Sequence, residues 1–206
     1  MGAAERLGIL GGTFDPPHVG HVVAALNVGH DLQLDRVLMI PACVPWQKVG
    51  TRAISGAADR LAMVRSAVEG IAGLEVSTIE LDRGGESYTA DTLQALHDAG
   101  PPAALYLIVG SDIAPTLDTW ARPDTIRELA TVVVYERPGA PAGRPPAGWR
   151  QRVVAVPQID VSSTDIRARV EQGRPIDGLV PPAVAVYIRS HGLYKRDRVG
   201  AHPATP

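Results

Sequence analysis

The sequence predicts a protein of the α/β class, built on a doubly wound parallel sheet. Short apolar runs rich in Val, Ile and Leu recur along the chain and are typical of buried strands. These runs are residues 7–10, 36–41, 74–79, 104–109, 131–136 and 152–157. Helical patterns separate them, at residues 20–32, 57–70, 89–99 and 123–130. This alternation favours helices on both faces of a parallel sheet, with ligands bound at the carboxyl ends of the strands.

The helical segments are one-sided, as helices that cover a sheet must be. In the segment 57–70, for example, Leu61, Val64 and Val68 fall on one face because they are spaced by three and four residues. We therefore expect this face to pack on the sheet.

The last third of the chain has a different pattern, with helices expected near 164–172 and 182–190, each ended by a glycine. The sequence thus predicts a single Rossmann-like domain over 1–194, in which a small C-terminal helical subdomain occupies about 162–194. Residues 195–206 are expected to form a flexible tail. The Pro- and Gly-rich segment at 138–148 is expected to be an exposed loop.

Length and composition limit the classes of function. A chain of 206 residues suits one substantial core, and 45% hydrophobic with 20% charged residues is ordinary for a globular protein. The net charge of -2 gives no general attraction to nucleic acid or to an anionic membrane. The N-terminal residues lack the apolar core of a signal peptide, and no apolar run approaches the length of a membrane span. We expect a cytoplasmic protein, and the sequence leaves open whether it forms a homo-oligomer.

The stretch GGTFDPPHVGH at residues 11–21 joins the first strand to the first helix. Gly11 and Gly12 allow the backbone to approach a ligand closely or to adopt positive φ. The helix is expected to begin near Gly20, so its amide groups face the turn and favour an anion. His18 and His21 flank that start and can both donate to the same anion. Together these residues predict a phosphate site.

Other motifs fit this turn less well. A dinucleotide fingerprint and a P-loop both require glycine spacings that are missing here. His18 and His21 lack the HExxH pattern of a helical zinc site, so no protein-ligated metal is expected.

A second polar motif, SSTDIR at residues 162–167, lies at the start of a predicted helix. The hydroxyls of Ser162, Ser163 and Thr164 can cap the helix and can donate to phosphate oxygens. Arg167 falls in the first helical turn, and its guanidinium group suits phosphate. An ordinary capped surface helix would be the alternative if this motif stood alone.

The two motifs resemble the T/HxGH and ISSTxIR signatures of the nucleotidyltransferase superfamily, with Val161 at the position where Ile is usual. Within that superfamily, further segments are similar to bacterial nicotinate mononucleotide adenylyltransferases. These segments are DRGGESYTADTL at 82–93, GSD at 110–112, DTW at 118–120 and ERPG at 136–139. The similarity runs from Leu7 to about Tyr194.

The resemblance implies transfer of the adenylyl group of ATP to nicotinate mononucleotide, in NAD biosynthesis. The catalytic residues would then be His18, His21 and Arg167. Lys48 in PWQK would close on the phosphates from a loop. The remaining residues expected to bind ATP or its phosphates are Gly11, Gly12, Thr13, Phe14, Ser162, Ser163 and Thr164. Mg2+ would bridge the phosphates, held mainly by substrate oxygens and water.

The resemblance also implies a site for the acceptor. Thr89 and its backbone N–H would receive the pyridine carboxylate, Trp120 would stack on the ring, and Asp112 would bind ribose hydroxyls. Ala121 follows this Trp where some relatives have a second aromatic residue.

Two other functions remain open at this stage. A sibling enzyme could adenylylate nicotinamide mononucleotide or phosphopantetheine, although SYTADTL argues against it. A nucleotide-binding regulatory protein could have kept the fold without turnover, although His18, His21 and Arg167 are all present.

Overall fold

The computed structural model describes residues 4–44, 54–100, 103–136 and 142–195. Within these ranges the strands are β1 (Glu5–Gly12), β2 (Arg36–Pro41), β3 (Leu74–Val76), β4 (Ala103–Gly110), β5 (Ala130–Tyr135) and β6 (Gln151–Val154). They form one sheet in the order β3-β2-β1-β4-β5-β6, and every neighbouring pair is parallel. The sheet confirms the α/β class and the doubly wound, Rossmann-like order.

Helices occupy most of the connections between these strands. They are α1 (Val19–Asp31), α2 (Ala57–Val68), α3 (Ile79–Arg83), α4 (Thr89–Asp98), α5 (Pro123–Leu129), α6 (Ser163–Glu171) and α7 (Pro182–Ser190). A 3-10 helix, Ala114–Thr119, follows β4. Among the described residues no helix has both the length and the apolar character needed to cross a lipid bilayer.

Each face of the sheet has its own apolar core. On one face the helices α1, α2, α6 and α7 contribute fully buried side chains, among them Val28, Val64, Ile166 and Ile188. On the other face α4 and α5 contribute Leu93 and Ile126. Since burial of one such side chain stabilises by about 1.5–3 kcal/mol, both helical layers are held firmly to the sheet. The C-terminal helices thus share a core with α1 and α2.

Two predicted strands are shorter than the apolar runs suggest. The run 74–79 leaves the sheet after Val76, because hydroxyl residues start α3 there: Thr78 Oγ1 donates to Asp82 at 2.7 Å. The run 152–157 ends as a strand at Val154, on the outer edge of the sheet.

The Pro- and Gly-rich segment differs from the expected exposed loop in its described part, residues 142–148. Pro145 is buried, and a Cβ built on Gly143 would lie 2.2 Å from the carbonyl oxygen of Ser111. This backbone therefore packs against the end of β4, at a distance that only glycine permits. In the predicted tail, residues 196–206 lie outside the described residues.

Candidate active site

A cleft of about 340 Å³ opens at the carboxyl ends of β1 and β4. These strands are the point at which the strand order reverses, where α/β proteins bind their ligands. Residues from the predicted ATP site and from the predicted acceptor site line this one cleft. The predicted residues among its lining are Gly11, Gly12, Thr13, Phe14, His21, Thr89, Asp112, Trp120 and Ser163.

Gly11 and Gly12 are glycines for two different structural reasons. Both end β1 in an extended conformation, and the positive φ belongs to Phe14 at 50°. A Cβ on Gly12 would lie 3.1 Å from the buried Phe14 ring, so Gly12 makes room for that ring. A Cβ on Gly11 would meet no protein atom within 4 Å. At Gly11 the open space belongs to the cleft, as expected where backbone must approach a ligand.

The two histidines form a stacked pair at the start of α1. Their ring centroids are 3.6 Å apart and the rings are inclined by 24°. The backbone N–H of His18 donates to Nδ1 of His21 at 3.1 Å. Because Nδ1 accepts this bond, a neutral His21 ring carries its proton on Nε2. The structure therefore presets His21 as a donor through Nε2.

The first turn of α1 offers fewer amide groups than the sequence suggests. The helix begins at Val19, whose N–H donates to the carbonyl oxygen of Leu179 at 3.1 Å. Gly20 has a packing role, since a Cβ there would lie 3.1 Å from Nδ1 of His18 and 3.2 Å from Cγ1 of Val161. Glycine lets His18 and the second motif meet at this turn.

His18 itself is almost fully buried and lines a smaller cleft of about 30 Å³, together with Tyr135, Val156 and Val161. His21 lines both clefts. The histidine pair thus forms the boundary between the two spaces.

The second motif contacts the first directly, across about 150 residues of sequence. Ser163 Oγ donates to the carbonyl oxygen of Pro16 at 2.8 Å, and Arg167 Nη1 donates to the carbonyl oxygen of Asp15 at 2.7 Å. Arg167 Nη2 also donates to Thr164 Oγ1 at 3.1 Å. In this structure the motif therefore supports the turn that carries the histidines.

The remaining residues of the second motif lie outside the larger cleft. Ser162 caps α6 by accepting the backbone N–H of Asp165 at 3.0 Å. Thr164 is exposed, and neither it nor Arg167 lines the cleft as the structure stands. Lys48 falls in the segment 45–53, outside the described residues.

A buried carboxylate anchors the same turn. Asp15 is 1% exposed and accepts a 2.8 Å hydrogen bond from the phenol of Tyr194. Burial is the main cause that raises the pKa of Tyr194 above its ordinary value of 10.0, and the nearby Asp15 carboxylate adds to it. Tyr194 thus stays a neutral donor throughout the physiological range.

The acceptor half of the cleft is formed by the start of α4 and by the segment after β4. Thr89 is the first residue of α4, and the preceding Tyr88 provides no side-chain cap. The first amide groups of this helix therefore favour an anion. Asp112 is exposed, whereas Trp120 is partly buried and donates from Nε1 to Thr116 Oγ1 at 3.3 Å.

Arg60, which the motifs do not include, connects the segments around the cleft. It is 2% exposed and donates to four backbone carbonyl oxygens. Its acceptors are Ser55 O at 3.0 Å, Thr13 O at 3.1 Å, Ala42 O at 2.6 Å and Cys43 O at 2.9 Å. The sequence does carry a signal for it, since Arg60 is in helical register with Val64 and Val68.

Glu80 is a second residue that sequence reasoning misses. This buried carboxylate lines the cleft and accepts a 2.7 Å hydrogen bond from Thr92 Oγ1. Arg83 approaches the same hydroxyl at 3.4 Å. These contacts of Glu80, Arg83 and Thr92 fix α3 against α4, beneath the acceptor half of the cleft.

The charges that line the cleft are mainly negative. Among the described lining residues, Asp15, Glu80 and Asp112 are acidic and there is no Lys or Arg. In the described part of the chain no group of three or more His, Cys, Asp or Glu residues could hold a metal ion. A polyphosphate in this cleft would need cations that arrive with it or come from elsewhere in the chain.

A doubly wound sheet with a donor-lined cleft at its switch point defines a nucleotide-binding α/β protein. The model of the cytidylyltransferase-like family matches residues 9–169. A probable nicotinate-nucleotide adenylyltransferase of Gemmatimonas aurantiaca is 44% identical over 92% of both chains. A probable nicotinate-nucleotide adenylyltransferase of Roseiflexus sp. is 46% identical over 94% of this chain and 100% of its own length.

Solved structures show the same fold. The nicotinic acid mononucleotide adenylyltransferase of Plasmodium falciparum, in complex with NaAD, aligns with a TM-score of 0.75 at 15% identity. The alignment covers 92% of this chain and 97% of that one. The chain belongs to the cytidylyltransferase-like family, and within it to the group of the nicotinate-nucleotide adenylyltransferases.

Proposed function

We propose that this chain transfers the adenylyl group of ATP to nicotinate mononucleotide, which gives deamido-NAD and pyrophosphate in NAD biosynthesis. The observation that carries the proposal is the single cleft that joins the turn of His21 to Thr89, Asp112 and Trp120. One cavity can thus present two substrates to each other. The names of the curated relatives support the choice of substrates.

His21 is the main donor to the triphosphate in this proposal. Its Nε2 proton is fixed by the bond from His18 N–H to Nδ1, so no reorganisation of the ring is needed when charge develops. His18 stacks on His21 and fixes its ring plane. Gly11, Gly12, Thr13 and Phe14 shape the wall on which the α-phosphate lies.

Ser163, Thr164 and Arg167 are proposed to hold the β and γ phosphates, with Ser162 capping their helix. For this role Arg167 must exchange the carbonyl oxygen of Asp15 for a phosphate oxygen. Lys48 is proposed to add a further positive charge from the segment 45–53.

Nicotinate mononucleotide is proposed to lie against α4 and the segment after β4. The uncapped start of α4 and Thr89 receive the carboxylate, Trp120 stacks on the pyridine ring, and Asp112 accepts from ribose hydroxyls. Backbone donors prefer a carboxylate to the amide of nicotinamide, which is the basis of acceptor choice.

The chemical step needs no protein base. The acceptor phosphate, with a second pKa near 6, is largely dianionic at neutral pH. One of its oxygens attacks the α-phosphorus of ATP and forms a new P–O bond. The bond between the α-phosphorus and the oxygen that bridges it to the β-phosphate breaks, and pyrophosphate leaves. The chain contributes in-line positioning and donors for the developing charge.

Mg2+ fits a site of this kind when it is carried by the substrate. The cleft lining is acidic and lacks a ligand cluster among the described residues, so substrate oxygens and water would hold the ion. Bound there, Mg2+ supplies charge neutralisation for the phosphates.

We also propose that residues 1–194 form one nucleotidyltransferase domain, with α6 and α7 as its helical part, and that the protein acts in the cytoplasm. Its partners are then the two small-molecule substrates, without nucleic acid or membrane.

Pyrophosphate release tests the proposal. The purified chain is given ATP and Mg2+ with nicotinate mononucleotide, nicotinamide mononucleotide or phosphopantetheine in parallel, and His21→Ala serves as the inactive control. We expect kcat/KM at least about tenfold higher with nicotinate mononucleotide, which corresponds to about 1.4 kcal/mol. Preference for another acceptor would overturn the acceptor assignment. No release with any acceptor would favour a binding protein without turnover.

A further inference from the structure

A second cavity, of about 280 Å³, lies at the other end of the sheet from the cleft. Apart from Leu32 its lining is polar and contains no carboxylate. The polar lining residues are Arg6, Tyr106, Thr131, Arg150, Gln151 and Arg152.

Four adjacent elements of the sheet bring these residues together. Tyr106 of β4 pairs with Thr131 of β5, and Gln151 begins β6 beside Val132. Arg6 lies near the amino end of β1. Most of the lining residues therefore stand on strands, which hold side chains more rigidly than loops do, and Arg150 immediately precedes β6.

Arg6 is the lining arginine whose side chain is packed most closely against the sheet. Its Nε–H is buried and has no hydrogen-bond partner among the described residues. The guanidinium carbon lies 5.4 Å from the centroid of the Tyr106 ring, so a cation–π contact holds the group in position. The guanidinium group of Arg6 is thus held in a fixed position beside the cavity.

The other two arginines also keep their charge available. Arg150 donates to the carbonyl oxygens of Arg127 and Glu128, and Arg152 donates to that of Gln151. In the described part of the chain, neither these two nor Arg6 forms an ion pair with a carboxylate. Three arginines thus line one cavity in a protein whose net charge is -2, and two of them, Arg150 and Arg152, are exposed.

We propose that this cavity binds a small anion that carries its charge on phosphate groups. Guanidinium forks and hydroxyl donors match phosphate oxygens. Because the charged groups of the lining are all cationic, the ligand is a phosphorylated small molecule or an inorganic polyphosphate. Arg6 of this site and Gly12 of the cleft are six residues apart on β1, which is about 20 Å, so the proposal does not depend on the proposed function.

Site-resolved NMR of the full chain tests this proposal, with pyrophosphate as the probe. We expect saturable shifts of the backbone amides of Thr131, Gln151 and Arg152, with a Kd below 1 mM. Arg152→Gln should raise that Kd at least about tenfold, because Arg152 contacts only a neighbouring carbonyl and its loss spares the fold. Arg174→Gln, which changes an exposed arginine on another part of the surface, should leave the Kd unchanged.

Pyrophosphate bound as a product in the cleft would shift a different set of amides, around Gly11 and His21, and those shifts should persist in Arg152→Gln. Arg6→Gln provides a second variant and should weaken binding in the same way. The proposal is overturned if the amides at the β5 and β6 ends do not shift, if sodium chloride of equal ionic strength shifts them equally, or if Arg152→Gln leaves the Kd unchanged.

Discussion

The phenol of Tyr194 donates to the buried carboxylate of Asp15, at 2.8 Å and across 179 positions of sequence. Asp15 lies in the turn between β1 and α1, where Arg167 also binds its carbonyl oxygen. Tyr194 and Arg167, both from the C-terminal helical part, thus hold the turn that carries the histidines.

Tyr194→Phe should lower the free energy of unfolding by about 1–3 kcal/mol at pH 7, since it leaves a buried carboxylate with one donor fewer. Urea denaturation measures the change. Tyr187→Phe is the matched control: its phenol donates to Asp59 at 3.0 Å in a more open position, so its loss should cost less. Equal costs in the two variants would contradict the special role of the Asp15 contact.

The same pair predicts a pH dependence. The folded pKa of Tyr194 lies above the unfolded value of 10.0, mainly because the phenol is buried. Its contribution to stability is therefore complete below pH 10 and declines as the pH rises further, by about 1.4 kcal/mol per pH unit. The difference in unfolding free energy between wild type and Tyr194→Phe should shrink by about 1 kcal/mol between pH 10 and 11, since the unfolded phenol is half ionised at pH 10. A constant difference would show that Tyr194 ionises normally in the folded chain.

Arg60→Met should destabilise the protein by more than about 3 kcal/mol, because it removes the buried donor shared by four backbone carbonyl groups. Thermal unfolding measures the effect. Arg65→Met, on the exposed face of the same helix, is the control and should change stability by less than about 0.5 kcal/mol. Similar effects of the two changes would mean that the contacts of Arg60 add nothing to the fold.

Gly20→Ala should reduce turnover more than stability. The added Cβ would lie 3.1 Å from the His18 ring and 3.2 Å from Val161, so the histidine pair must shift. Gly29→Ala in the same helix meets only an ordinary contact at 3.4 Å, and should stabilise the helix by up to about 1 kcal/mol without loss of activity. Comparing kcat and Tm for both variants checks this, and a fully active Gly20→Ala would contradict the packing argument.

Arg167→Ala separates two roles of this residue. If Arg167 binds phosphate as proposed, the KM for ATP should rise at least about tenfold, whereas a residue that only supports the turn would mainly lower Tm. Arg169→Ala is the control, since Arg169 pairs with the exposed Asp165 on the same helix and should affect neither quantity much. An unchanged KM for ATP with a lowered Tm would remove Arg167 from the proposed phosphate site.

Trp120→Ala should raise the KM for nicotinate mononucleotide far more than the KM for ATP. The ring lines the acceptor half of the cleft, and stacking on a pyridine ring is lost with it. Steady-state kinetics with each substrate varied in turn provides the measurement. Equal increases in both constants would count against stacking.

The sheet could be predicted because each strand is an apolar run that local pattern alone identifies. The start of α3 at Ile79 could not, because Ser77 and Thr78 act through hydroxyl hydrogen bonds within an otherwise strand-like run. The positions of the two polar motifs along the chain are visible in sequence. Their direct contact, Ser163 with Pro16, depends on tertiary packing that no periodicity encodes.

The candidate site could be predicted only in part. His21, Thr89 and Trp120 belong to recognisable sequence motifs and line the cleft, and their roles stay predictions. Glu80 and Arg60 belong to no motif, and the structure reveals them through their burial. A charged residue in helical register with buried valines is the pattern that would have indicated Arg60.

The contacts of Asp15 have a consequence for the order in which a growing chain can assemble. The turn is synthesised well before its anchors, because Ser163, Arg167 and Tyr194 follow it by more than 140 residues of sequence. Translation proceeds from the N-terminus, so a ribosome-bound chain carries this turn without those three anchors while the strands β2 to β6 are made. The histidine turn can thus be completed only after every strand of the described sheet has been synthesised.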